Sequence, residues 1–115
     1  MATEFDDAQF VETTQGDVTF ERTVVRQYLE STANGLGRLR TTISEGDALT
    51  SERLAHRIKG GSATLGATGF ARIALAAEDA AHTGDLALAW RMLGELESEF
   101  LELKQYLERR GARAA

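Results

Sequence analysis

Proline and cysteine are both absent from this sequence of 115 residues. Because proline breaks helix interiors, its absence favours helices along the whole chain. Without cysteine, the chain has no disulfide, no thiolate ligand for a metal ion and no catalytic thiol. No apolar run approaches the roughly 18 residues that a membrane span requires, so we expect no contact with a membrane.

Basic residues are also too few for a nucleic-acid-binding protein. Thirteen Lys and Arg residues stand against 18 Asp and Glu residues, a net charge of −5, whereas nucleic-acid binding needs a basic surface. Residues 1–7 are acidic and have no apolar run, so they are not a signal peptide, and we expect a cytoplasmic protein. The length and the 43% hydrophobic content predict one folded domain over residues 1–115.

Three Gly-Asp pairs, at 16–17, 46–47 and 84–85, divide the chain. Glycine suits a turn and aspartate suits the cap of the next helix, so each pair predicts a helix boundary. Thr50 is a second candidate for the cap of the helix that follows residue 47. The predicted helices cover 3–12, 18–43, 49–65, 70–82 and 85–109. We expect an ordered core over about 5–109 and a frayed tail over 111–115.

Apolar residues in the long helices recur at alternating spacings of three and four. This pattern predicts an all-α fold, an up-down antiparallel four-helix bundle with a short additional N-terminal helix. The alternation is complete in the last helix, at Leu86, Ala89, Leu93, Leu96, Phe100, Leu103 and Leu107. In the helix over 49–65 the same reasoning predicts a buried stripe of Leu54, Ile58, Gly61 and Leu65.

His56 falls on the opposite side of that helix, about 200° from the start of the apolar stripe. Lys59 and Gly60 follow at i+3 and i+4 and share its face, and Ala63 follows one turn later. Gly60 inside a helix costs about 1 kcal/mol relative to alanine. A chain tolerates such a glycine where another group must approach its backbone. We therefore predict an exposed nucleophile beside a nearly bare docking strip.

The stretch from Ala55 to Gly60, followed by Gly66 and Ala67, resembles the signature of histidine-containing phosphotransfer (HPt) domains, A-H-x-L-K-G with a later G-A. Ile58 stands where the signature has leucine. The resemblance extends over about 5–109, although only the central dozen residues are specific. It implies that His56 accepts a phosphoryl group from the aspartyl phosphate of one receiver domain and passes it to another receiver.

The resemblance also implies roles around His56. Lys59 would lie against the phosphoryl oxygens, and Gly60, with Gly61 and Ala63, would form the docking strip. Arg53 and Arg57 would steer an acidic partner. The partners would be receiver domains of response regulators and of a hybrid histidine kinase. The protein would be a monomeric carrier without catalytic turnover of its own. It would need no cofactor, because Mg²⁺ would sit in the receiver.

Three alternatives stay open. The Gly60-Gly61 pair also resembles the phosphoacceptor domain of chemotaxis histidine kinases, which a kinase domain phosphorylates directly. A helical adaptor without phosphochemistry would use neither histidine. A dimerisation and phosphoacceptor domain of a sensor kinase is the weakest alternative, because Arg57 occupies its acidic position and its proline is missing.

Four further residues have local predictions. His82 is expected to be structural, at a helix end where a cation complements the dipole. Glu78 either bonds the His56 imidazole or is solvated. Ser62 is expected to bond a helix carbonyl or to face the partner. Trp90 is expected to pack in the core.

Overall fold

The computed structural model describes residues 4–114, which form five helices and no strand. The all-α prediction is therefore confirmed. The helices are α1 (Asp7–Thr14), α2 (Val18–Ser44), α3 (Ala48–Leu65), α4 (Thr68–His82) and α5 (Leu86–Ala114). Residue 3, where the first helix was predicted to begin, lies outside the described residues. The last helix continues past 109, so the predicted frayed tail is helical as far as Ala114.

The Gly-Asp pairs precede three of the four long helices, α2, α3 and α5. Asp17, Asp47 and Asp85 each accept a hydrogen bond of 2.9–3.0 Å from the backbone N–H three residues further on. The predicted capping role of these aspartates is confirmed. The alternative cap, Thr50, is wrong, because the Thr50 N–H is itself the donor to Asp47.

The four long helices pack side by side around one apolar core. Helix α2 contacts α3 and α5, and α4 contacts the same two helices. Ion pairs Arg40–Glu97 and Arg110–Glu21 join opposite ends of α2 and α5, so these two helices run antiparallel. The predicted stripe of α5 faces the core, together with apolar residues of α2 and α4. The core includes Leu36, Leu39, Ile43, Phe70, Ala74, Ala77, Leu93, Leu96, Leu103 and Leu107.

The predicted stripe of α3 is wrong at one position. Gly61 is exposed, whereas the next residue, Ser62, is fully buried. The Ser62 hydroxyl lies 2.7 Å from the hydroxyl of Tyr28 on α2. Burial raises the pKa of Tyr28 to about 12, although hydrogen bonds with Ser62 and Thr32 oppose the rise. A buried serine is stable where it has such a partner, and apolar periodicity alone does not reveal one.

Gly66, in the turn between α3 and α4, holds the N-terminal segment against the bundle. It has a φ of +104°, and its carbonyl accepts the Asp6 N–H at 2.7 Å. A Cβ atom added at Gly66 would lie 2.5 Å from the Asp6 carbonyl oxygen. The close approach of α1 to α3 therefore requires glycine at this position.

We predict that Gly66→Ala lowers the free energy of unfolding by about 2 kcal/mol or more, since it adds both backbone strain and a backbone clash. Urea unfolding measures the change. The matched control is Gly94→Ala, at an exposed helical glycine where an added Cβ meets nothing within 4 Å. That substitution should stabilise the protein by up to about 1 kcal/mol. Equal stabilities of Gly66→Ala and the parent protein would contradict the prediction.

Candidate phosphoacceptor site

His56 lies on the exposed face of α3, with 65% of its side chain accessible to solvent. Its Nδ1 atom is 3.0 Å from the Oε2 atom of Glu78, which projects from α4. Because an ionised carboxylate only accepts hydrogen bonds, this contact assigns the proton of the neutral imidazole to Nδ1. The lone pair of the neutral ring is then on Nε2, which faces solvent-accessible surface without a contact to Glu78.

Glu78 joins His56 to the predicted phosphoryl-stabilising residue. Its Oε1 atom lies 3.0 Å from Nζ of Lys59, and both side chains are largely covered. Burial raises the pKa of Glu78, but the contacts with Lys59 and His56 lower it by a larger amount. The pKa of Glu78 therefore lies below its usual value. Glu78 is therefore ionised at neutral pH. His56, Lys59 and Glu78 together are called the His56 cluster below.

The antiparallel pairing of α3 and α4 explains why Glu78 meets His56. The turn between the helices is centred on Ala67, and His56 and Glu78 each lie eleven residues from it. Residues at equal distances from a tight turn face each other across a helical hairpin. The sequence left the role of Glu78 open, and this equal spacing is the signal that could have identified it.

The predicted docking strip is exposed, as expected for a contact surface. Gly60, Gly61 and Ala63 are all accessible, and a Cβ atom added at either glycine would meet nothing within 4 Å. Gly60 and Ala63 continue the face of His56 along α3. Gly61 follows His56 by five residues and is therefore turned about 140° away from it. With Arg57, it borders the groove between α2 and α3. The structure thus separates Gly61 and Arg57 from the His56 cluster.

Arg53 and Arg57 supply exposed positive charge on α3. Both side chains are accessible, and neither forms an ion pair with any residue between 4 and 114. Arg53 precedes His56 by three residues and therefore shares its face. These cations form a local basic surface on a protein of net charge −5.

The predicted position of His82 agrees with the structure, and that of Trp90 does not. His82 is the last residue of α4, as predicted, and its Nδ1 atom lies 3.0 Å from Oε2 of Glu52. Trp90 is 43% exposed, so the prediction of a core position is wrong. The Arg40 guanidinium lies 5.0 Å from the Trp90 ring centroid and covers the indole outside the core.

Within residues 4–114, the His, Asp and Glu side chains form no group of three or more that could hold a metal ion. No helix in this part of the chain is long and apolar enough to cross a membrane.

The model of the Hpt domain matches residues 23–110, a range that contains the whole motif and Glu78. The chain belongs to the Hpt domain family. Comparison with curated proteins gives no significant match.

Solved structures share the Hpt fold. Histidine-containing phosphotransfer protein B (HptB) of Pseudomonas aeruginosa PAO1 superposes with a TM-score of 0.89 at 23% identity, covering 96% of each chain. A rice protein proposed to be a histidine-containing phosphotransfer protein gives a TM-score of 0.84 at 16% identity. That match covers 94% of this chain and 79% of the rice chain. At these identities the likeness shows a common fold.

Proposed function

We propose that this Hpt protein is a phosphoryl carrier that accepts the group on Nε2 of His56 and passes it from one receiver domain to another. Histidine phosphotransfer in phosphorelays is the role of its family. The observation that supports the assignment to His56 is the His56 cluster. It combines an exposed imidazole whose Nδ1 is 3.0 Å from a carboxylate with a lysine 3.0 Å from the same carboxylate.

In the forward step, the Nε2 lone pair attacks the phosphorus of the receiver's aspartyl phosphate. The N–P bond forms as the bond between phosphorus and the aspartyl oxygen breaks, and the aspartate carboxylate leaves. The ring keeps its Nδ1 proton, and the Glu78 carboxylate stabilises the positive charge that develops on the imidazole. Lys59 lies one turn from His56 and stabilises the phosphoryl oxygens. The same step in reverse transfers the group to the second receiver.

The proposal includes the partners and the scaffold. The donor is the receiver domain of a hybrid histidine kinase and the acceptor is that of a response regulator. Each receiver supplies the Mg²⁺, so the carrier uses no cofactor and has no catalytic turnover of its own. We place this relay in the cytoplasm, where the family's receiver partners work, and the carrier acts as a monomer. Its scaffold is an up-down antiparallel bundle of α2 to α5, with α1 as an additional helix.

The test incubates the purified protein with a ³²P-labelled phospho-receiver. We expect a label on the carrier that is labile in acid and stable in alkali, as a phosphohistidine is. Nitrogen-15 NMR of the phosphorylated protein should locate the phosphoryl group on Nε2 of His56. If several receivers give no label but a kinase ATP-binding domain does, the chemotaxis-kinase alternative replaces the relay. If neither donor gives a label, the adaptor alternative replaces it.

Glu78→Ala tests the positioning role of the carboxylate. We expect transfer to slow about tenfold, because His56 loses the partner that holds the proton on Nδ1 and Lys59 loses its anchor. Nitrogen-15 NMR should show a shift towards the Nε2–H tautomer, a readout that a purely structural role would not change. The control is Glu52→Ala, which removes the carboxylate from His82 instead and should leave transfer unchanged. An unchanged tautomer and rate in Glu78→Ala would contradict the role.

The lowered pKa of Glu78 also predicts how stability depends on pH. A carboxyl whose folded pKa is depressed stabilises the protein fully above its unfolded pKa. Glu78 should therefore contribute fully at neutral pH, and its contribution should fall as the pH drops below its usual 4.5 and through the lower folded value. In Glu78→Ala this part of the acid destabilisation should be missing from urea unfolding curves.

A further inference from the structure

A second histidine–carboxylate pair lies one helical turn from the first on the α3–α4 seam. The Nδ1 atom of His82 is 3.0 Å from Glu52, the same distance that separates His56 from Glu78. The two imidazoles are similarly exposed, at 71% for His82 and 65% for His56. Each helix thus contributes one histidine and one glutamate.

The two pairs are related by a shift of 26 residues, which carries Glu52 onto Glu78 and His56 onto His82. By the argument applied to His56, the carboxylate contact also leaves the His82 lone pair on Nε2. The imidazole–carboxylate pair therefore cannot by itself decide which histidine carries the phosphoryl group.

The flanking charges of the two histidines are opposite. Arg53 and Lys59 lie three residues before and three residues after His56. The same shift places Asp79 and Asp85 at the corresponding positions around His82. Asp79 is exposed, and Asp85 is exposed while its side chain caps α5.

We propose that Asp79, together with Asp85, slows phosphorylation of His82, so that flanking charge favours His56 over His82 as the phosphoacceptor. The proposal rests on the assignment of His56 as the phosphoacceptor. Phosphoryl transfer brings negative charge to the ring, and the Asp79 side chain, three residues before His82 on α4, lies about 5–6 Å from it. In water, one unit charge at that distance changes the rate of such a step roughly threefold. Asp85 lies beyond the end of α4, at the start of α5.

Phosphoramidate is the donor for the test, because a small donor needs no docking strip. Nε2 attacks its phosphorus, the donor's P–N bond breaks, and ammonia leaves. His56→Gln leaves His82 as the one remaining histidine. In this background we expect Asp79→Arg to speed labelling about tenfold, since it exchanges one negative for one positive charge. The gain should shrink at high salt, as an electrostatic effect must.

Two further variants complete the test. Asp85→Asn keeps a capping oxygen for α5 but removes the charge, and should also speed His82 labelling. The reciprocal change, Arg53→Asp in a His82→Gln background, should slow labelling of His56 about tenfold. Each label should disappear when its own histidine is replaced by glutamine.

Equal labelling rates with and without Asp79→Arg, or a gain that does not depend on salt, would overturn the proposal. Failure of the proposed function would look different. In that case a phospho-receiver would not label His56, while the phosphoramidate rates would still follow the flanking charges.

Discussion

His56→Gln should abolish labelling by a phospho-receiver and leave the helical far-ultraviolet signal unchanged. Glutamine has no nucleophilic nitrogen at the position of Nε2. The other histidine of the sequence, His82, is flanked by Asp79 and Asp85 instead of by cations. The fold should tolerate the change because 65% of the His56 side chain is exposed. The measurement pairs circular dichroism with the acid-labile label on the same preparation.

His82→Gln is the matched control for this prediction. It removes an imidazole of nearly equal exposure with the same kind of carboxylate partner, and it should retain full labelling by the receiver. A His56→Gln protein that loses its helical signal would contradict the assignment of His56 to the solvent face. A fully labelled, folded His56→Gln protein would move the phosphoacceptor to another residue.

The bundle helices could be predicted from the sequence because their signals are local. The spacing of leucines along α5, from Leu86 to Leu107, needs no knowledge of neighbouring helices. The capping aspartates Asp17, Asp47 and Asp85 are equally local, since each bonds a backbone N–H three residues away. The exposure of His56 follows from the same helical period.

Contacts between helices were harder to predict, because they depend on the register of one helix against another. Ser62 is buried through a hydroxyl contact with Tyr28, which lies 34 residues earlier. The sequence leaves two alternatives for Glu78, a bond to His56 or solvation, and the choice between them depends on the centre of the turn at Ala67. Once that centre is known, the partner follows from counting residues on either side.

The register of α3 against α4 also gives Lys59 a partner that the sequence did not predict. The sequence predicted a cation beside the phosphoacceptor, and the structure places its Nζ atom 3.0 Å from Glu78. The carboxylate therefore holds both the imidazole and the lysine in place before a phosphoryl group arrives. A site ordered in this way loses less side-chain freedom during transfer than one with an unanchored lysine.

Gly60→Gln should slow transfer from a phospho-receiver about 10- to 100-fold. The new side chain would project from the face of α3 that holds His56, where an added Cβ now meets open space. It would hold the receiver's phosphorus away from Nε2, and a displacement of about 1 Å can cost a hundredfold in rate. Phosphoramidate needs no docking, so its labelling rate should stay at the parent value.

Stability distinguishes this prediction from simple misfolding. Glutamine is a better helix former than glycine by about 0.5–1 kcal/mol, so Gly60→Gln should unfold at a higher urea concentration than the parent protein. Gly94→Gln, at an exposed glycine of α5 with equally open surroundings, should gain similar stability and keep both labelling rates. Slower transfer in a more stable protein that phosphoramidate still labels at the parent rate would locate the defect at the docking surface. If the receiver labels Gly60→Gln at the parent rate, the glycine strip is not the surface on which it docks.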